Sequence, residues 1–389
     1  MCQGTSVKNT NYQIAKQMKL NVGVLTMHRV INFGSVLQAY ATQVAIERLG
    51  HNCTLIDYIY PNSLHIKSKV NIFRIYTSFV NLLHGFPNRK QKQGINTFIK
   101  TNIKLTSSNY DYDGLKQQPP LFDKYVVGSD QTWNTTCTRG DDSFLLNFTD
   151  SPEKIAYASC AARAHIEPCY EPLFRECLNK FKSISVRDNS TKALVKSLTG
   201  QEVPIVLDPT LLLHSSEWNN IAKQSDLREN VKGKYILVYI LSYAYDPYPY
   251  INSVISQVVK EIGLPLVVIR YSMRYSLNVK VAHNYYEGIS PEDFVWLFAN
   301  ASFVITTSFH GTAFAINYNK PFYTIYNPLI QDDRIYSLLK MLGCESSGIP
   351  NKGEIPQHYA GVSDYTSVIS RLDEERLKSE DYLIKSLKK

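Results

Sequence analysis

The chain has 389 residues, of which 44% are hydrophobic, and it is about twice as long as a typical domain. Its 42 basic and 34 acidic residues give a formal charge of +8, which suits an anionic ligand. No helix-turn-helix, zinc-finger or RNA-binding signature accompanies that charge, so the sequence predicts a two-domain globular protein and argues against a nucleic-acid partner.

The spacing of the cysteines and the hydropathy of the chain indicate in which cellular compartment the protein acts. The seven cysteines form no CxxC pair and no metal-ligand spacing, which argues against disulfides and a zinc site. No apolar stretch approaches the roughly 18 to 20 residues that span a bilayer, and residues 1–17 lack the hydrophobic core of a secretory signal. We expect a soluble, cytoplasmic protein without a metal, whose residues 1–17 form a disordered extension.

The first half of the chain begins with a βαβ unit, formed by the strand Asn21–Thr26, the helix Gly34–Leu49 and the strand Asn52–Tyr58. Continuous apolar strands with short links predict a parallel, doubly wound sheet that is buried on both faces. Further strands are predicted at Lys124–Val127, Ile155–Ala158, Ser183–Val186 and Ile205–Leu207. Helices are predicted at Ile72–Leu83, Gln93–Ile99, Pro172–Phe181 and Ser190–Leu198.

The second half repeats this pattern after a polar, charged stretch, Ser215–Lys234. Strands are predicted at Tyr235–Leu241, Leu266–Arg270, Ser302–Thr306 and Phe322–Ile325, and helices at Ile251–Ile262, Pro291–Ala299 and Gly311–Tyr318. The sequence thus predicts two Rossmann-like α/β domains, 18–214 and 215–345, and a helical tail over 346–389 that could pack back on the first domain. Ligands of such sheets bind beyond the carboxyl ends of the strands, so we expect the active site in the interdomain cleft.

Two turns of the first domain carry candidate binding residues. Asn32 and Gly34 follow the first strand at a helix start, whose free amides can hold an anion or a hydroxyl, although Asn32 could serve only as the helix cap. Ser129 and Asp130 follow the strand that ends at Val127 and could project into the cleft. The alternative for Asp130 is again a helix cap.

Arg187 ends the strand Ser183–Val186, where its guanidinium could grip a phosphate or a carboxylate. The alternative is a surface ion pair with Asp188. The segment Asp208-Pro209-Thr210 also follows a short apolar strand, but its proline favours a structural turn rather than a catalytic role.

The second domain contributes the segment Thr306–Thr312, which places His310 between a buried strand and a helix start. Ser308, Gly311 and Thr312 flank the histidine and add hydroxyls and helix-terminal amides. A histidine at such a turn could also be a packing residue with backbone partners. Lys320, just before a proline and the next strand, is a further source of positive charge, with a solvated turn as the alternative.

Taken in order, six segments resemble the successive motifs of the polysaccharide pyruvyl transferase family, from about Met18 to Gly343: HRVINFGSVLQAYATQVAIERLGH, YVVGSDQTWN, KIAYASC, SVRD, VLDPTLLL and VITTSFHGTAFAINYNKPF. The family's SFHG segment falls on residues 308–311, its arginine on Arg187, and its NYGA-like turn on residues 32–35. One departure is KIAYASCAARAH, in which the family pattern leads us to expect a glycine after the small residues.

This resemblance implies a glycosyltransferase-B-like fold, phosphoenolpyruvate (PEP) as donor substrate, no cofactor, and an acceptor sugar of a cell-wall polymer, capsule or exopolysaccharide. As a hypothesis, Arg187 and the amides of Gly311 and Thr312 anchor phosphate or carboxylate, and His310 exchanges protons. Asn32, Ser129 and Asp130 would then orient the sugar, with Asp130 as the base for a hydroxyl.

Three alternatives stay open. The first is a catalytically silent protein that binds a glycan or serves as a scaffold, against which the intact SFHG segment and Arg187 argue. A nucleotide-sugar glycosyltransferase would use the same two-domain scaffold. The acceptor could be lipid-linked, in which case the cationic tail could touch the inner face of an anionic membrane, with a solvated helix as the alternative. The tail lysines concerned are Lys378, Lys385, Lys388 and Lys389.

Overall fold

The computed structural model of the chain describes residues 18–60, 85–242, 244–270 and 277–388. The predicted extension over 1–17 and the predicted helix Ile72–Leu83 lie outside these ranges. Within them the chain forms two parallel sheets of six strands each, with helices on their faces.

The first sheet has the strand order β3-β2-β1-β4-β5-β6. Its strands are β1 (Asn21–Leu25), β2 (Asn52–Tyr58), β3 (Leu105–Tyr110), β4 (Lys124–Val127), β5 (Lys154–Ser159) and β6 (Ser183–Val186). The accompanying helices are α1 (Phe33–Arg48), α2 (Gly85–Asn102), α3 (Tyr112–Gln117), α4 (Thr135–Thr138), α5 (Glu171–Leu178) and α6 (Asn189–Thr199). Two short helices, α7 (Pro209–Leu212) and α8 (Ser215–Ala222), lead to the second sheet.

The second sheet has the order β12-β11-β10-β7-β8-β9, the same arrangement with new strands. Its strands are β7 (Ile236–Tyr239), β8 (Leu266–Ile269), β9 (His283–Tyr286), β10 (Phe303–Thr306), β11 (Phe322–Tyr326) and β12 (Gly348–Pro350). Its helices are α9 (Tyr250–Ile262), α10 (Pro291–Asn300), α11 (Phe309–Asn317) and α12 (Arg334–Leu342), and the chain ends with α13 (Thr366–Leu387).

The central strands match the sequence prediction because each is a continuous apolar run buried on both faces. The predicted strand Ile205–Leu207 is wrong, since only an isolated bridge joins Ile205 to Val186. The sequence reading also missed the edge strands β3, β9 and β12. Edge strands need no continuous apolar run, and β3 (Leu105–Tyr110) has three exposed residues in succession.

One hydrophobic cluster runs through both sheets and joins the two halves of the molecule. Phe33 at the start of α1 stacks on Phe294 of α10, with ring centroids 4.9 Å apart. Trp218 of the connecting helix α8 contacts Tyr40 on one side and Phe314 on the other, at 5.8 and 5.0 Å. These ring contacts join helix α1 of the first half to helices α10 and α11 of the second half.

The last helix, α13, crosses back from the second sheet and packs on the first. Its Ser379 hydroxyl accepts a hydrogen bond from the Leu207 amide at 2.9 Å, and its Tyr382 hydroxyl donates to the Ala156 carbonyl at 2.9 Å. Arg376 bridges the two halves by donating to the Leu211 carbonyl and to the Asn317 side chain, at 2.7 and 3.0 Å. In the described ranges no helix combines the length and the apolar character needed to cross a bilayer.

Candidate active site

Each sheet has a point at which the direction of strand addition reverses, and the two points face each other. In the first sheet it lies between β1 and β4, and in the second between β7 and β10. Turns that follow these strands carry side chains to the carboxyl edge of their sheet, which is where doubly wound folds bind ligands. His310 and Arg187 both reach this region from different sheets.

A buried ion pair forms the centre of the site. Arg187, just after β6, donates from Nη1 to Asp208 Oδ2 at 2.6 Å, and both side chains are almost completely buried. Ser129, just after β4, donates its hydroxyl to the same carboxylate oxygen at 2.8 Å. The other oxygen of Asp208 accepts from the Thr210 amide and hydroxyl, at 3.0 and 2.7 Å. The predicted alternative for Arg187, a surface ion pair with Asp188, is therefore not what the structure contains.

The guanidinium of Arg187 retains unused donors in this buried position. Its Nε and Nη2 atoms are inaccessible to solvent and have no hydrogen-bond partner among the described residues. Its flat face lies over the Phe309 ring, with Cζ 4.2 Å from the ring centroid. Buried polar groups are normally paired, so two free donors on one buried cation indicate a site for an anionic or strongly accepting ligand.

His310 reaches the same centre from the second sheet. Its Nε2 lies 3.6 Å from Asp208 Oδ2, within ion-pair distance when the imidazole is protonated, and forms no hydrogen bond among the described residues. On the opposite side its ring lies against the backbone of Gly34, where a methyl group would overlap the imidazole. Gly34 therefore contributes to the site by the absence of a side chain, which allows the close approach of helix α1 to the histidine.

The charges of this centre stabilise one another. Burial alone would raise the pKa of Asp208, but the neighbouring His310 and Arg187 and the Thr210 hydrogen bond lower it well below its ordinary value. Burial alone would lower the pKa of Arg187, but the Cys160 thiol and the Asp208 carboxylate raise it above its ordinary value. At neutral pH the site therefore contains a fixed carboxylate and a fixed guanidinium in contact.

Asp130 lies on the same edge but in a separate hydrogen-bond pair, in which its carboxylate accepts from the Ser35 hydroxyl of helix α1. Its backbone is left-handed, with φ of 74°, a conformation that aspartate tolerates better than most residues. Such backbone conformations are concentrated at functional sites. The structure does not use Asp130 as a helix cap.

The end of β5 and the loop after it contain the departure from the family pattern noted above. Ala158, near the end of β5, and Ala162, in the loop, both adopt left-handed backbone, with φ of 51° and 56°, the conformation that glycine favours. The loop therefore has the shape that a glycine would favour, although alanine occupies these positions.

Other predicted site residues have structural partners. Asn32 caps helix α1, because its side-chain oxygen accepts from the amides of Gly34 and Ser35 at 2.8 and 3.3 Å. Ser308 caps helix α11 by accepting from the Gly311 amide at 3.2 Å. The Thr312 amide and hydroxyl both donate to the Ser308 carbonyl. The amides of Gly311 and Thr312 are thus already bonded, and the expectation that they anchor an anion is not supported by this geometry.

Lys320 is placed away from the cleft, which corrects the prediction for this residue. It precedes β11 (Phe322–Tyr326), and the carboxyl edge of a parallel sheet is at the other end of that strand. Its carbonyl accepts from the Tyr365 hydroxyl, and burial lowers the pKa of its amine. Lys320 therefore belongs to the packing around the amino edge of the second sheet.

Asp208 is the central residue that the sequence analysis missed. Its proline neighbour indicated a structural turn, and the residue does cap the short helix α7. One signal was available, because Asp208 follows a short apolar segment within a string that resembles a family motif. What the sequence did not show is that Arg187 and His310 converge on this turn from 21 and 102 residues away along the chain.

A second charged cluster, His28, Arg29 and Asp57, lies at the carboxyl ends of β1 and β2. Burial raises the pKa of Asp57, but hydrogen bonds from His28 and Arg29 outweigh this effect and lower the pKa to about 2. Arg29 binds both carboxylate oxygens, and the fully buried His28 bonds to Asp57 at 3.3 Å and to the Thr26 carbonyl at 3.1 Å. The cluster is internally satisfied and fixes the loop after β1.

These features define a class of protein: a glycosyltransferase-B-like α/β protein with two Rossmann-like domains and a charged site between them. Solved structures agree in fold. A putative UDP-N-acetylglucosamine 2-epimerase from Listeria monocytogenes matches at TM-score 0.52 and 11% identity, over 94% of this chain and 91% of that chain. The UDP-GlcNAc 2-epimerase from Methanocaldococcus jannaschii matches at TM-score 0.50 and 11% identity, over 92% of both chains.

The family is identified by the sequence. The model of the polysaccharide pyruvyl transferase family matches residues 32–328, which is most of the chain. The chain therefore belongs to the polysaccharide pyruvyl transferase family, and this membership indicates a transferase of polysaccharide biosynthesis. Among curated proteins, none matches the chain. In the described part of the chain, no group of three or more His, Cys, Asp or Glu side chains could hold a metal ion.

Proposed function

We propose that this protein transfers pyruvate from PEP to two hydroxyls of one sugar in a bacterial surface polysaccharide or its precursor, with formation of a cyclic ketal and release of phosphate. The observation that carries the proposal is the pair of buried Arg187 donors without a hydrogen-bond partner, at the same carboxylate as the Nε2 of His310, which also forms no hydrogen bond. PEP carries two anionic groups on the carbon that reacts, so a fixed cation beside a proton-exchanging side chain matches its chemistry.

The reaction forms two C–O bonds at C2 of PEP and breaks two bonds there, the π bond to C3 and the single bond to the phosphate oxygen. A proton is added to the methylene carbon C3, and the oxygen of the first sugar hydroxyl forms a bond to C2 and loses its proton. The second hydroxyl oxygen then bonds to C2 as the bond from C2 to the phosphate oxygen breaks. Of the two hydroxyl protons, one balances the new methyl group and the other balances the released phosphate.

The residues of the site have distinct roles in this scheme. Arg187 holds the carboxylate or phosphate of PEP through Nε and Nη2, which are shielded from solvent in this arrangement and become accessible when the two domains move apart, while Asp208 fixes the guanidinium through Nη1. His310 exchanges the proton at C3 or at the leaving oxygen, since histidine side chains transfer protons near neutral pH. Asp130 accepts a proton from an attacking hydroxyl. Ser129 serves as a positioning residue, because its hydroxyl is bound to Asp208.

Use of PEP places the protein in the cytoplasm, where this donor is made. Contact with a membrane through helix α13 is not required. Lys378 pairs with Glu374 and Glu375 at 2.8 and 2.7 Å, and Lys385 pairs with Asp381 at 2.6 Å, so that the helix neutralises much of its own positive charge. A solvated helix therefore accounts for these lysines.

The proposal is tested by thermal unfolding of the full chain titrated with PEP, in parallel with inorganic phosphate and UDP-sugars. A ligand at a hundredfold excess over its Kd adds about 2.7 kcal/mol of apparent stability. We expect PEP to stabilise the wild type. It should equally stabilise the control His283→Ala, which changes a half-buried histidine on β9. We expect little stabilisation of Arg187→Lys, because lysine keeps the charge but loses the planar donors.

Measurement of phosphate release separates the binding of PEP from the chemical step. In His310→Ala we expect PEP to stabilise the protein still, while phosphate release in the presence of acceptor falls about 100-fold to 10,000-fold. Full turnover in His310→Ala would exclude the role given to this residue. Stabilisation by a UDP-sugar, with no effect of PEP, would instead favour a nucleotide-sugar glycosyltransferase.

A further inference from the structure

Another contact joins the two domains beside the charged centre. It lies between the first turn of helix α6, which begins at Asn189, and the first turn of helix α12 in the second domain. Asp188, the cap of α6, directly follows Arg187 in the chain. The contact therefore begins one residue away from the guanidinium whose Nε and Nη2 atoms are shielded from solvent. Because its partners belong to different domains, separation of the domains breaks it.

The first two amides of α6 obtain their hydrogen-bond acceptors from the second domain. The first N–H groups of a helix have no partner within the helix. The amides of Asn189 and Ser190 donate to Ser337 Oγ and Asp333 Oδ1, both at 3.2 Å. The Ser337 hydroxyl itself donates to Asp333 Oδ2 at 2.7 Å, which couples the two acceptors. Domain closure thus completes the cap of α6, and separation leaves two amides without their acceptors.

Two carboxylates meet at this contact. Asp188 Oδ1 accepts from the Thr191 amide and from the Ser190 hydroxyl, both at 2.8 Å, within the first domain. Since Asp333 accepts from the amide of the same Ser190, one residue binds a carboxylate from each domain. Asp188 Oδ2 is inaccessible to solvent and has no hydrogen-bond partner in the described ranges. The helix start attracts both carboxylates, but like charges held this closely repel each other.

The arginines near the two carboxylates are bound by other acids. Arg187 donates to Asp208 at 2.6 Å. Arg334, which follows Asp333 in the chain, donates from Nε and Nη2 to Asp332 at 2.7 and 2.5 Å. Both guanidinium groups therefore have a strong carboxylate partner outside the pair.

The remaining titratable neighbour is the fully buried Cys160 thiol, a weak donor whose pKa is raised by burial and by the charge of Asp188. Burial, and after it the charge of Asp188, also raises the pKa of Asp333 above its ordinary value. A carboxyl group whose pKa is raised in the closed arrangement binds its proton more tightly there than in the open one. Closure is therefore favoured as the pH falls, and it weakens as the pH rises through the raised pKa.

We propose that Asp333 and Ser337 form a latch that closes the second domain over Arg187, and that repulsion between Asp333 and Asp188 lets this latch open at neutral pH. Opening exposes the free donors of Arg187 to a ligand, and closure returns His310 to the charged centre. The latch acts on access to the site whichever anion binds there, so this inference does not rest on the proposed function.

The experiment is amide hydrogen exchange of the full chain at neutral pH, resolved to single residues by mass spectrometry. Exchange of an amide that is exposed only by opening reports the opening equilibrium. Opening exposes the amides of Asn189 and Ser190, whereas the Thr191 amide keeps its acceptor Asp188 in the same domain. The Thr191 amide and the amides in the last turns of α6 therefore report any global unfolding.

Ser337→Ala weakens the latch and removes the acceptor of the Asn189 amide alone, because Ser190 keeps Asp333. Loss of hydrogen bonds that close the domains should speed exchange of both amides about fivefold and leave Thr191 unchanged. The control Ser197→Ala, at an exposed position near the other end of α6, should change neither amide. Faster exchange of Asn189 alone would contradict the latch, because the bond would then act only locally.

Asp333→Asn keeps an oxygen for the Ser190 amide and removes the charge that faces Asp188. We expect exchange of Asn189, whose own acceptor is unchanged, to become about fivefold slower at neutral pH as the latch tightens. In the wild type the protection of Asn189, corrected for the intrinsic pH dependence of exchange, should rise from about pH 7 to about pH 5, and in Asp333→Asn it should stay constant.

Two results would overturn the inference. Equal or faster exchange of Asn189 in Asp333→Asn at neutral pH would mean that Asp333 is only a helix cap without repulsion from Asp188. Protection that does not change with pH in the wild type would exclude the carboxyl pair as the group that weakens the latch. Neither readout requires PEP or turnover, so failure of the latch and failure of the proposed function are seen in separate experiments.

Discussion

Two turns of the same type, one from each domain, meet at the site and differ in construction. The turn Gly128–Asn134 follows β4 and has unusual backbone, with Asp130 left-handed at φ of 74°. The turn Thr306–Thr312 follows β10 and is a regular helix start, capped by Ser308. The first turn connects to a buried charge centre through Ser129, while the second is satisfied by its own hydroxyls except at His310.

This difference shows which groups of the site each domain contributes. The first domain assembles the guanidinium, the carboxylate and the hydroxyl of Arg187, Asp208 and Ser129 from its own residues. The second domain adds one imidazole, that of His310, whose Nε2 lies 3.6 Å from Asp208 Oδ2. In the proposed reaction, the binding charge is therefore preorganised within one domain, whereas proton transfer by His310 needs both domains to be in contact.

The largest effect is expected for Asp208→Asn, which breaks the centre inside the first domain. The new amide would direct N–H groups at Arg187, or leave it without its carboxylate, and loss of one partner of a buried pair costs about 3 to 5 kcal/mol. We expect the free energy of unfolding in urea to fall by about 3 kcal/mol at neutral pH. Phosphate release should be lost with it.

The same variant predicts a pH dependence. Asp208 has a folded pKa below its unfolded value, so its contribution to stability is complete above the unfolded pKa of about 3.9 and is lost as the pH falls through the folded pKa. The difference between wild type and Asp208→Asn should therefore shrink from about pH 4 downward. Asp188→Asn is the control, because this buried cap of α6 keeps its function as asparagine. Equal losses in both variants would contradict the special role of Asp208.

The next effect is expected at the contact between the two domains. Gly34→Ala places a methyl group in the space of the His310 imidazole, so the ring must move or the domains must separate. We expect a loss of about 1 to 3 kcal/mol and a large fall in turnover. In the His310→Ala background the same change should cost less than about 0.5 kcal/mol, because the ring is absent. Additive losses in this double-mutant cycle would show that the contact is not formed.

A smaller effect on stability is expected where helix α13 accepts a hydrogen bond from the first domain next to the site. Ser379→Ala leaves the Leu207 amide, next to Asp208, without its acceptor, and a buried unpaired N–H costs about 1 to 3 kcal/mol. Unfolding in urea should show this loss, whereas Lys385→Ala, exposed on the same helix, should stay within about 0.5 kcal/mol of wild type. A neutral Ser379→Ala would mean that the end of the chain does not stabilise the site.

The smallest effect concerns the left-handed loop of the first domain. Ala162→Gly relieves a conformation that costs alanine about 1 kcal/mol, but it also adds about 0.5 to 1 kcal/mol of entropy to the unfolded chain. We expect little net change in unfolding free energy. Ala161→Gly, whose φ is not positive, should be less stable than Ala162→Gly by about 1 kcal/mol, and the reverse order would argue against the left-handed geometry.

Much of the architecture was predictable because it rests on local pattern. Continuous apolar runs identified the central strands of both sheets, and Asn32 and Ser308 are short polar residues at helix starts, where their side chains bond nearby amides. The edge strands were missed because their residues need not be apolar, as β3 shows. The glycosyltransferase-B-like arrangement of two such sheets also followed from the repeated pattern and from the family resemblance.

The site itself was only partly predictable. Its sequence signals are Arg187 and His310, each at the end of an apolar strand, and Ser129 and Asp130 in a turn of the same kind. Lys320 was misjudged because charge alone does not say at which end of a strand a residue lies. The role of Asp208, and the need for a residue without a side chain at Gly34, depend on residues far away in the chain. No local sequence pattern contains that information.

The sequence by itself thus determined the secondary structure of the two sheets and the kinds of side chain available at their carboxyl edges, because short-range sterics and burial set both. Only the tertiary structure decided which of those side chains share one carboxylate. The approach of Gly34 to His310 joins residues 276 positions apart, and the contact of α13 with Leu207 joins residues 172 positions apart. Their contacts depend on how the two sheets pack, and the free energy of that packing is a property of the whole chain.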